Sequence, residues 1–374
     1  MDDEPLDELD DWQEQKQLRR RRTRIALGVG ALVVALGVGW LVRPPPRPPP
    51  HTGAVLPVHD GDGSLREAVV VHSPAYAVSF YGLERLHPFD LHKYNKVAAG
   101  LVQRGLLEEE DFFRAPVATE AQLARVHDGG YLASLTEPAV LSTALEAPVP
   151  GFMGPQAIQR RILGSFAAAV GGTTLAARHA AEGRLAVHLG GGFHHARPAK
   201  GHGFCVYNDV AVAIAALRDS GVSSPVLIVD TDAHQGDGDH AFFAEDPSVF
   251  SLSLHQGGIF PHPKLPGDLD VPLAAGTGDE TFLAALDDAL DRVPAGLDVG
   301  LVVHVAGSDV LAGDPLADLA VTPEGLVRRD LRVARWARER GAGLLHLLAG
   351  GYGPRSAAAH EEAVAALLQG ERAR

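Results

Sequence analysis

The sequence is poor in cysteine, in aromatic residues and in positive charge. Its 374 residues include one cysteine, Cys205, and 6% aromatic residues, and the formal net charge is −14. A single cysteine excludes an intrachain disulfide and a metal site built from several thiolates, so any metal must bind to His and carboxylate side chains. An acidic domain is also a poor partner for phosphate backbones, which argues against direct binding of nucleic acid.

Histidine and apolar residues, by contrast, are abundant. The chain has 18 histidines, and 46% of its residues are hydrophobic. This apolar fraction is sufficient for a sizeable core and excludes a wholly disordered chain.

The first fifty residues differ in composition from the rest. Residues 1–24 form an acidic and then arginine-rich tail, residues 25–42 carry neither charge nor proline, and residues 43–56 are rich in proline. A helix over 25–42 would be about 27 Å long, just enough to cross the hydrocarbon core of a membrane. The pattern predicts one transmembrane helix in a lipid bilayer, followed by a semi-rigid linker.

Basic residues flank this apolar segment unequally, with more of them on its N-terminal side. The positive-inside rule then predicts a single-pass membrane protein with a cytoplasmic N-terminus and an extracytoplasmic main domain. Residues 57–374 contain no second linker and are expected to form that one domain.

Short apolar runs alternate with helical patterns through this domain. Most of the runs are continuously apolar, which is typical of strands buried on both faces of a parallel sheet. The alternation predicts a single doubly wound α/β domain with a central parallel sheet flanked by helices. The predicted strands are 68–71, 185–189, 226–229, 249–254, 301–305 and 344–348, and the predicted helices include 94–105, 157–181 and 209–218.

Polar side chains follow five of the predicted strands, directly after each strand ends. Ligands bind at the carboxyl ends of the strands in open parallel sheets, so these side chains are expected to share one site. They are His194 and His195 after 185–189, the aspartate-rich loop 230–237 after 226–229, His255 after 249–254, Asp309 after 301–305 and Tyr352 after 344–348.

Asp232 and His234 form an Asp-x-His pair just beyond a strand, where alternate residues can point to one side. With Asp309 as a third ligand they would hold a zinc ion that keeps a position open for water and substrate. The alternative is that Asp232 and His234 only cap a helix, which is common for an isolated pair.

His194 and His195 follow three glycines, where the backbone can pass close to a ligand. Asp230 and Asp237 could each accept the ring N–H of one histidine, leaving one imidazole as general base and the other as an electrostatic partner. Tyr352 could place its phenol near a developing oxyanion, or could simply be a packed tyrosine beside a glycine turn.

These motifs resemble the zinc-dependent histone deacetylases of the arginase/deacetylase superfamily. The segments that carry the resemblance are 191–196, 203–209, 230–238, 307–314 and 350–352. Within that family, residues 82–90 and Gln235 are most like the class IV branch and its bacterial relatives. The resemblance implies that 57–374 is a deacetylase-like catalytic domain.

The resemblance also implies a role for each matching residue. Asp232, His234 and Asp309 would bind zinc, and Tyr352 would stabilise the oxyanion. His195 would be the general base and acid, paired with Asp237, and His194 would be its neighbour, paired with Asp230. Class IV relatives commonly have asparagine at the position of Asp237, so the aspartate in this sequence departs from the class IV pattern. A two-metal site is not expected, because Gly236 stands where the arginase-like branch has an aspartate.

Two further sets of residues are implied by the same resemblance. Gly203, Phe204 and Phe260 would line an acyl-lysine tunnel. A potassium ion would lie near the zinc loop, on Asp230, Asp232, His234, Ser253 and Leu254.

The expected activity is zinc-dependent hydrolysis of ε-N-acyl-lysine in a protein or peptide, with an acetyl or longer acyl group. One alternative substrate is an acylated small amine such as an acylpolyamine, whose positive charge suits an acidic protein. A second alternative is a non-catalytic binding module that contains zinc.

Overall fold

The computed structural model describes residues 48–59, 65–78, 89–90 and 92–370. Eight strands within these ranges form one sheet. The strands are β1 (Leu56–His59), β2 (Leu65–Val71), β3 (Leu185–His188), β4 (Val226–Asp230), β5 (Val249–Gln256), β6 (Leu269–Leu273), β7 (Leu301–Val305) and β8 (Gly343–Leu347).

The sheet has the strand order β1-β2-β3-β8-β7-β4-β5-β6. Every neighbouring pair is parallel except β1 and β2, which pair antiparallel at one edge. The central strands β3, β4, β7 and β8 are buried at every residue, as their continuously apolar sequences predict. The prediction of an α/β domain with a central parallel sheet is confirmed.

Helices connect the strands and pack on the sheet. They are α1 (Lys93–Gln103), α2 (Glu120–Leu123), α3 (Gly129–Ser134), α4 (Pro138–Leu145), α5 (Pro155–Ile158), α6 (Gly164–Ala181), α7 (Asp209–Asp219), α8 (Asp237–Phe243), α9 (Asp279–Asp291), α10 (Pro323–Glu339) and α11 (Ser356–Gln369). The helix predicted over 157–181 is interrupted, because a π-helical turn over Gln159–Leu163 separates α5 from α6.

The register of the central strands brings the site together. Asp230 pairs with Val305, Val305 pairs with Leu347, and Leu347 pairs with His188, so four strands end at the same level. The loops that leave these four ends carry the histidine pair, the Asp-x-His pair, Asp309 and Tyr352. Four of the five predicted strand ends therefore meet along one line of the sheet.

The prediction of a membrane protein is wrong on this structure. Across the part of the chain that the structure describes, no helix is long and apolar enough to cross a bilayer. The apolar helix α6 is buried against the sheet strands β2, β3 and β8. The segment 25–42, on which the predicted bilayer contact and membrane orientation depended, lies outside the described residues, as does the tail 1–24. The domain boundaries stay predictions.

Candidate active site

Asp232, His234 and Asp309 converge at the carboxyl ends of β4 and β7. Nδ1 of His234 lies 3.2 Å from Oδ1 of Asp232 and 3.0 Å from Oδ2 of Asp309. All three side chains are buried, and their ligand atoms are close enough together to hold one metal ion. The structure thus brings together the three residues that the sequence predicts as metal ligands.

Backbone N–H groups hold the other carboxylate oxygens. The N–H of Gly350 donates to Oδ2 of Asp232 at 2.9 Å, and that of Ala233 donates to Oδ1 of Asp309 at 2.8 Å. Glycine is required at position 350, because a Cβ there would collide with both carboxylates. These bonds leave one oxygen of each aspartate directed at His234.

The donor set fits a divalent cation. Although burial opposes its charged form, hydrogen bonds to Asp232 and Asp309 raise the pKa of His234 to about 10. Burial and the neighbouring charge of Asp232 raise the pKa of Asp309 to about 7. Two buried carboxylates and one imidazole therefore favour positive charge between them, and such a mixed N/O set is typical of catalytic zinc sites.

His194 is held by the first aspartate of the loop. Its Nδ1 lies 2.7 Å from Oδ2 of Asp230, and both groups are buried. Burial opposes the imidazolium, but the charges of Asp230 and Asp232 outweigh it and raise the pKa of His194 to about 10. His194 is accordingly a cation at neutral pH.

His195 has the opposite electrostatic character. Its Nδ1 lies 2.7 Å from Oδ1 of Asp237, and its ring centroid lies 4.1 Å from that of His194. Burial and the positive charge of His194 lower the pKa of His195 to about 3, despite Asp237. The pair therefore consists of one charged and one neutral imidazole, as expected for an electrostatic partner beside a general base.

Tyr352 stands on the glycine turn after β8. Its ring centroid lies 6.1 Å from that of His234 and 5.7 Å from that of Phe204. Burial and the charge of Asp232 raise the pKa of its phenol well above the ordinary value, so the hydroxyl keeps its proton. The backbone N–H of Tyr352 donates to Oδ2 of Asp314 at 2.8 Å, which fixes the turn.

The buried side chain of Lys93 binds the backbone of the turn that precedes Tyr352. Its Nζ donates to the carbonyl oxygens of Ala349 and Gly350, each at 2.7 Å. Ala349 needs this support because it has a φ of 47°, a left-handed conformation that is strained for a residue with a Cβ. Lys93 thus fixes the backbone that carries Tyr352.

The three predicted tunnel residues lie beside the histidines. Gly203 and Phe204 line a pocket that also includes His194 and His195, while the ring of Phe260 packs 4.9 Å from that of His195. Gly203 has a φ of 56°, and a Cβ there would collide with the ring of His195, so this position requires glycine.

An apolar cavity extends from this point into the domain. Its empty space, including the open mouth, is about 760 Å³. Aromatic and aliphatic side chains dominate its wall, which also includes His194, His195 and Tyr352. The apolar part of the wall is formed by Tyr76, Val78, Phe89, Tyr94, Leu145, Phe166, Phe193 and Phe204.

Three of the residues named for potassium, Asp230, Ser253 and Leu254, lie on the adjacent strands β4 and β5. Ser253 pairs with Asp230 in the β4–β5 ladder, and Leu254 follows it in β5. Potassium at this place stays a prediction.

Sequence reasoning missed several residues that support the site. Lys93 lies three residues beyond the 82–90 motif, and Arg197 and His202 lie between two motifs. Arg197 binds the outer oxygen of Asp237 through Nε at 2.8 Å, and Nε2 of His202 lies 3.0 Å from that oxygen. The available signal was the position of these residues close to the motifs, which does not identify their partners.

Comparisons with known proteins agree with this geometry. Residues 87–368 match the family model described as histone deacetylase domain. The chain is 37% identical over 296 residues to "Histone deacetylase 2" of Arabidopsis thaliana, covering 78% of this chain and 76% of that protein. It is 31% identical over 275 residues to "Acetoin utilization protein AcuC" of Bacillus subtilis, covering 69% of this chain and 70% of that one.

The fold is similar to that of a solved relative. The crystal structure of the HDA15 HD domain superposes with a TM-score of 0.66 at 25% identity, covering 81% of this chain and 91% of that chain. The family match spans most of the domain and includes every residue of the converging cluster. The chain belongs to the histone deacetylase domain family.

Proposed function

We propose that this protein is a zinc-dependent amidohydrolase that removes acyl groups, acetyl or longer, from ε-N-acyl-lysine in a protein or peptide. The observation that carries the proposal is the meeting of Asp232, His234 and Asp309 with a charged and a neutral histidine at the wall of an apolar cavity. Metal ligands, a base and a binding space for an acyl group thus adjoin one another.

Zinc held by Asp232, His234 and Asp309 would supply a Lewis acid that polarises an acyl oxygen and lowers the pKa of a water molecule. His195 is neutral and can take a proton from the attacking water on Nε2, because its Nδ1 is bound to Asp237. His194 remains an imidazolium beside it and stabilises the negative charge that develops on the acyl group.

Tyr352 would donate its phenolic hydrogen bond to the developing oxyanion. The raised pKa of its hydroxyl keeps that donor protonated through the reaction. His195 then returns its proton to the leaving ε-amine, so the lysine departs as a neutral amine rather than as an unstable anion. Each proton step uses a group whose protonation state suits it at neutral pH.

The cavity suggests acyl groups longer than acetyl. Its wall is mainly aromatic and aliphatic, and each methylene group buried there would contribute about 0.8 kcal/mol. His194, His195 and Tyr352 line the same cavity and supply the polar groups that would act on the acyl carbonyl. An acyl chain would therefore bind with its carbonyl toward His195 and its tail toward Phe166.

A second candidate substrate is an acylated small amine. Glu146 is exposed, and its Oε1 accepts a hydrogen bond from the N–H of Gly203 at 3.0 Å, at the entrance to the tunnel residues. A carboxylate at that place would attract a cationic amine. This observation favours an amine less strongly than the cavity favours an acyl chain, because one exposed carboxylate contributes little in water.

The test uses the full chain loaded with zinc. One lysine peptide carrying acetyl, butyryl, octanoyl or myristoyl groups would be compared with an acetylated polyamine, and products would be followed by mass spectrometry. His195→Ala and Tyr352→Phe are the matched variants, and chelated enzyme is the control.

Turnover of the peptides that disappears in both variants and on chelation supports the proposal. Turnover of the polyamine alone would replace it with the amine alternative. A folded chain that binds zinc and hydrolyses none of these amides would contradict both and favour a binding module.

A further inference from the structure

Arg329 is the largest fully buried charged side chain of the described residues, and it lies beneath the metal-ligand loops. It belongs to α10 and has 0% of its surface exposed. Its Nη1 donates to the carbonyl oxygens of Gly307 at 2.6 Å and Thr231 at 3.3 Å, and its Nη2 donates to that of Ala306 at 2.9 Å. One guanidinium thus bonds to the backbone of two different loops.

Each of the two loops carries a predicted metal ligand within two residues of a carbonyl that Arg329 binds. Thr231 directly precedes Asp232 in the loop after β4, and Gly307 lies two residues before Asp309 in the loop after β7. The planar guanidinium presents its donors in a fixed arrangement, so it can fix the separation of the two loops. That separation determines the distance between the two ligand carboxylates.

The guanidinium is itself held in place. Its Nε donates to Oδ1 of Asp330 at 2.7 Å, which compensates its buried charge. The other oxygen of Asp330 lies 3.7 Å from Nε2 of His346, whose Nδ1 lies 3.2 Å from Nδ1 of His304. Nε2 of His304 returns to the hydroxyl of Thr231 at 2.9 Å.

The two histidines and Asp330 are close enough to hold a metal ion of their own. Arg329 opposes that use, because its positive charge lies on the same carboxylate and a buried dication beside it would be uncompensated. Burial, His346 and the charge of Arg329 lower the pKa of His304 well below its ordinary value. The cluster is therefore better suited to stabilising the loops after β4 and β7 than to binding a cation.

We propose that Arg329 is a positioning residue for the metal centre: by bonding to the carbonyls of Thr231, Ala306 and Gly307 it sets the spacing of Asp232 and Asp309. This inference rests on the proposed function, because it requires a metal at those aspartates. It assigns Arg329 no contact with the substrate.

The test measures metal binding directly. Full-length Arg329→Met, which keeps an unbranched apolar stem and removes the charge and donors, and Arg329→Lys, which keeps the charge, would be titrated with Zn²⁺ against a chromophoric chelator. Co²⁺ would be added in parallel, because its visible absorption reports coordination geometry. Arg218→Met is the matched control, since Arg218 bonds to the carbonyls of Val222 and Ser224 at the opposite end of β4.

We expect Arg329→Met to bind Zn²⁺ about 10- to 100-fold more weakly and to change the Co²⁺ spectrum, with Arg329→Lys intermediate. Arg218→Met should keep the wild-type affinity and spectrum. Wild-type affinity and spectrum in folded Arg329→Met would overturn the proposal, as would an equal loss in Arg218→Met. A second zinc equivalent that His346→Leu removes would also overturn it, because the cluster would then be a metal site.

Arg329→Met leaves the charge of Asp330 uncompensated, so this variant can fail to fold. The double variant Arg329→Met with Asp330→Leu removes both charges, and such apolar replacement of a buried ion pair is often tolerated. Weak zinc binding by this folded variant supports the proposal, and wild-type binding overturns it. Zinc binding by the wild type without any amide hydrolysis would contradict the proposed function and leave the role of Arg329 in metal binding standing.

Discussion

Arg197 binds the same carboxylate of Asp237 that orients His195. Its Nε lies 2.8 Å from Oδ2 of Asp237, while Nδ1 of His195 lies 2.7 Å from Oδ1 of the same carboxylate. Nε2 of His202 lies 3.0 Å from Oδ2 as well. The negative charge of Asp237, which would otherwise raise the pKa of His195, is therefore partly offset by a permanent cation.

This arrangement predicts a change in pH dependence for Arg197→Gln. His195 acts as a base only when neutral, and loss of the guanidinium exposes it to the full charge of Asp237, so its pKa rises. The acid limb of kcat/KM against pH should move to higher pH by about half to one unit. The pH profile of the zinc-loaded enzyme measures this shift.

Arg197→Lys retains a positive charge and should move the limb less than Arg197→Gln. An unchanged acid limb in Arg197→Gln, with the fold intact, would show that Asp237 does not transmit the charge to His195.

Lys93→Met should lower kcat with little change in KM. Without the ammonium, the carbonyls of Ala349 and Gly350 lose their donor and the turn that carries Tyr352 relaxes. A displacement of about 1 Å at a reacting group can cost about 100-fold in rate, so a decrease of about 10- to 100-fold in kcat is expected.

Steady-state kinetics on one acyl-lysine peptide would measure both constants. Lys96→Met is the control, because Lys96 lies on the same helix with 60% of its side chain exposed and pairs with Asp90 at the surface. An equal decrease in both variants would show that the effect is not specific to the turn.

Asp209→Asn should destabilise the domain. The buried carboxylate accepts hydrogen bonds from the hydroxyl of Thr173 at 2.5 Å and from the N–H groups of Gly192 at 3.0 Å and Phe193 at 2.7 Å. In the variant, the amide NH₂ of asparagine replaces one acceptor oxygen and faces N–H and O–H groups that need an acceptor. The free energy of unfolding should therefore fall by about 2 kcal/mol. Urea denaturation would measure it.

Asp219→Asn, at the other end of the same helix, is the comparison. Its side chain is 44% exposed and forms a surface ion pair with Arg125, so its replacement should change the free energy of unfolding by no more than about 0.5 kcal/mol. A similar loss in the two variants would contradict the prediction.

The sequence predicted the parts of the site that lie on strand ends. Continuous apolar runs identify buried parallel strands, and the position of Asp232, Asp309 and Tyr352 after them follows from the geometry of a parallel sheet. The edge strands were less predictable. β6 contains Pro272 and is buried only at its two end residues, and β1 is short, so neither has the apolar run that identifies the central strands.

The supporting cations could not be predicted in the same way. Lys93 and Arg329 bind backbone carbonyls, which leave no pattern in the sequence. Arg329 stands among several arginines of α10 that resemble a solvent-exposed face. Helical periodicity was the one signal, because Leu326 and Val333 place position 329 on the buried side.

Val78→Phe should shorten the acyl chain that the enzyme accepts. Val78 is buried at the cavity wall, and the larger side chain of phenylalanine would occupy space that a long acyl tail needs. An octanoyl group that loses the burial of four methylenes at about 0.8 kcal/mol each would react about 200-fold more slowly in kcat/KM. Acetyl-lysine ends before this point, so its turnover should change by no more than a few-fold.

The ratio of octanoyl to acetyl kcat/KM isolates this effect from a general loss of activity. Val55→Phe, at a position with 45% exposure, should leave the ratio unchanged. Equal decreases for both acyl groups in Val78→Phe would place the tail outside the cavity, because filling a space that binds only the longer chain cannot slow the shorter one to the same extent. The ratio of octanoyl to acetyl kcat/KM therefore tests whether the acyl tail enters the cavity, and a loss of stability in the variant does not change that ratio.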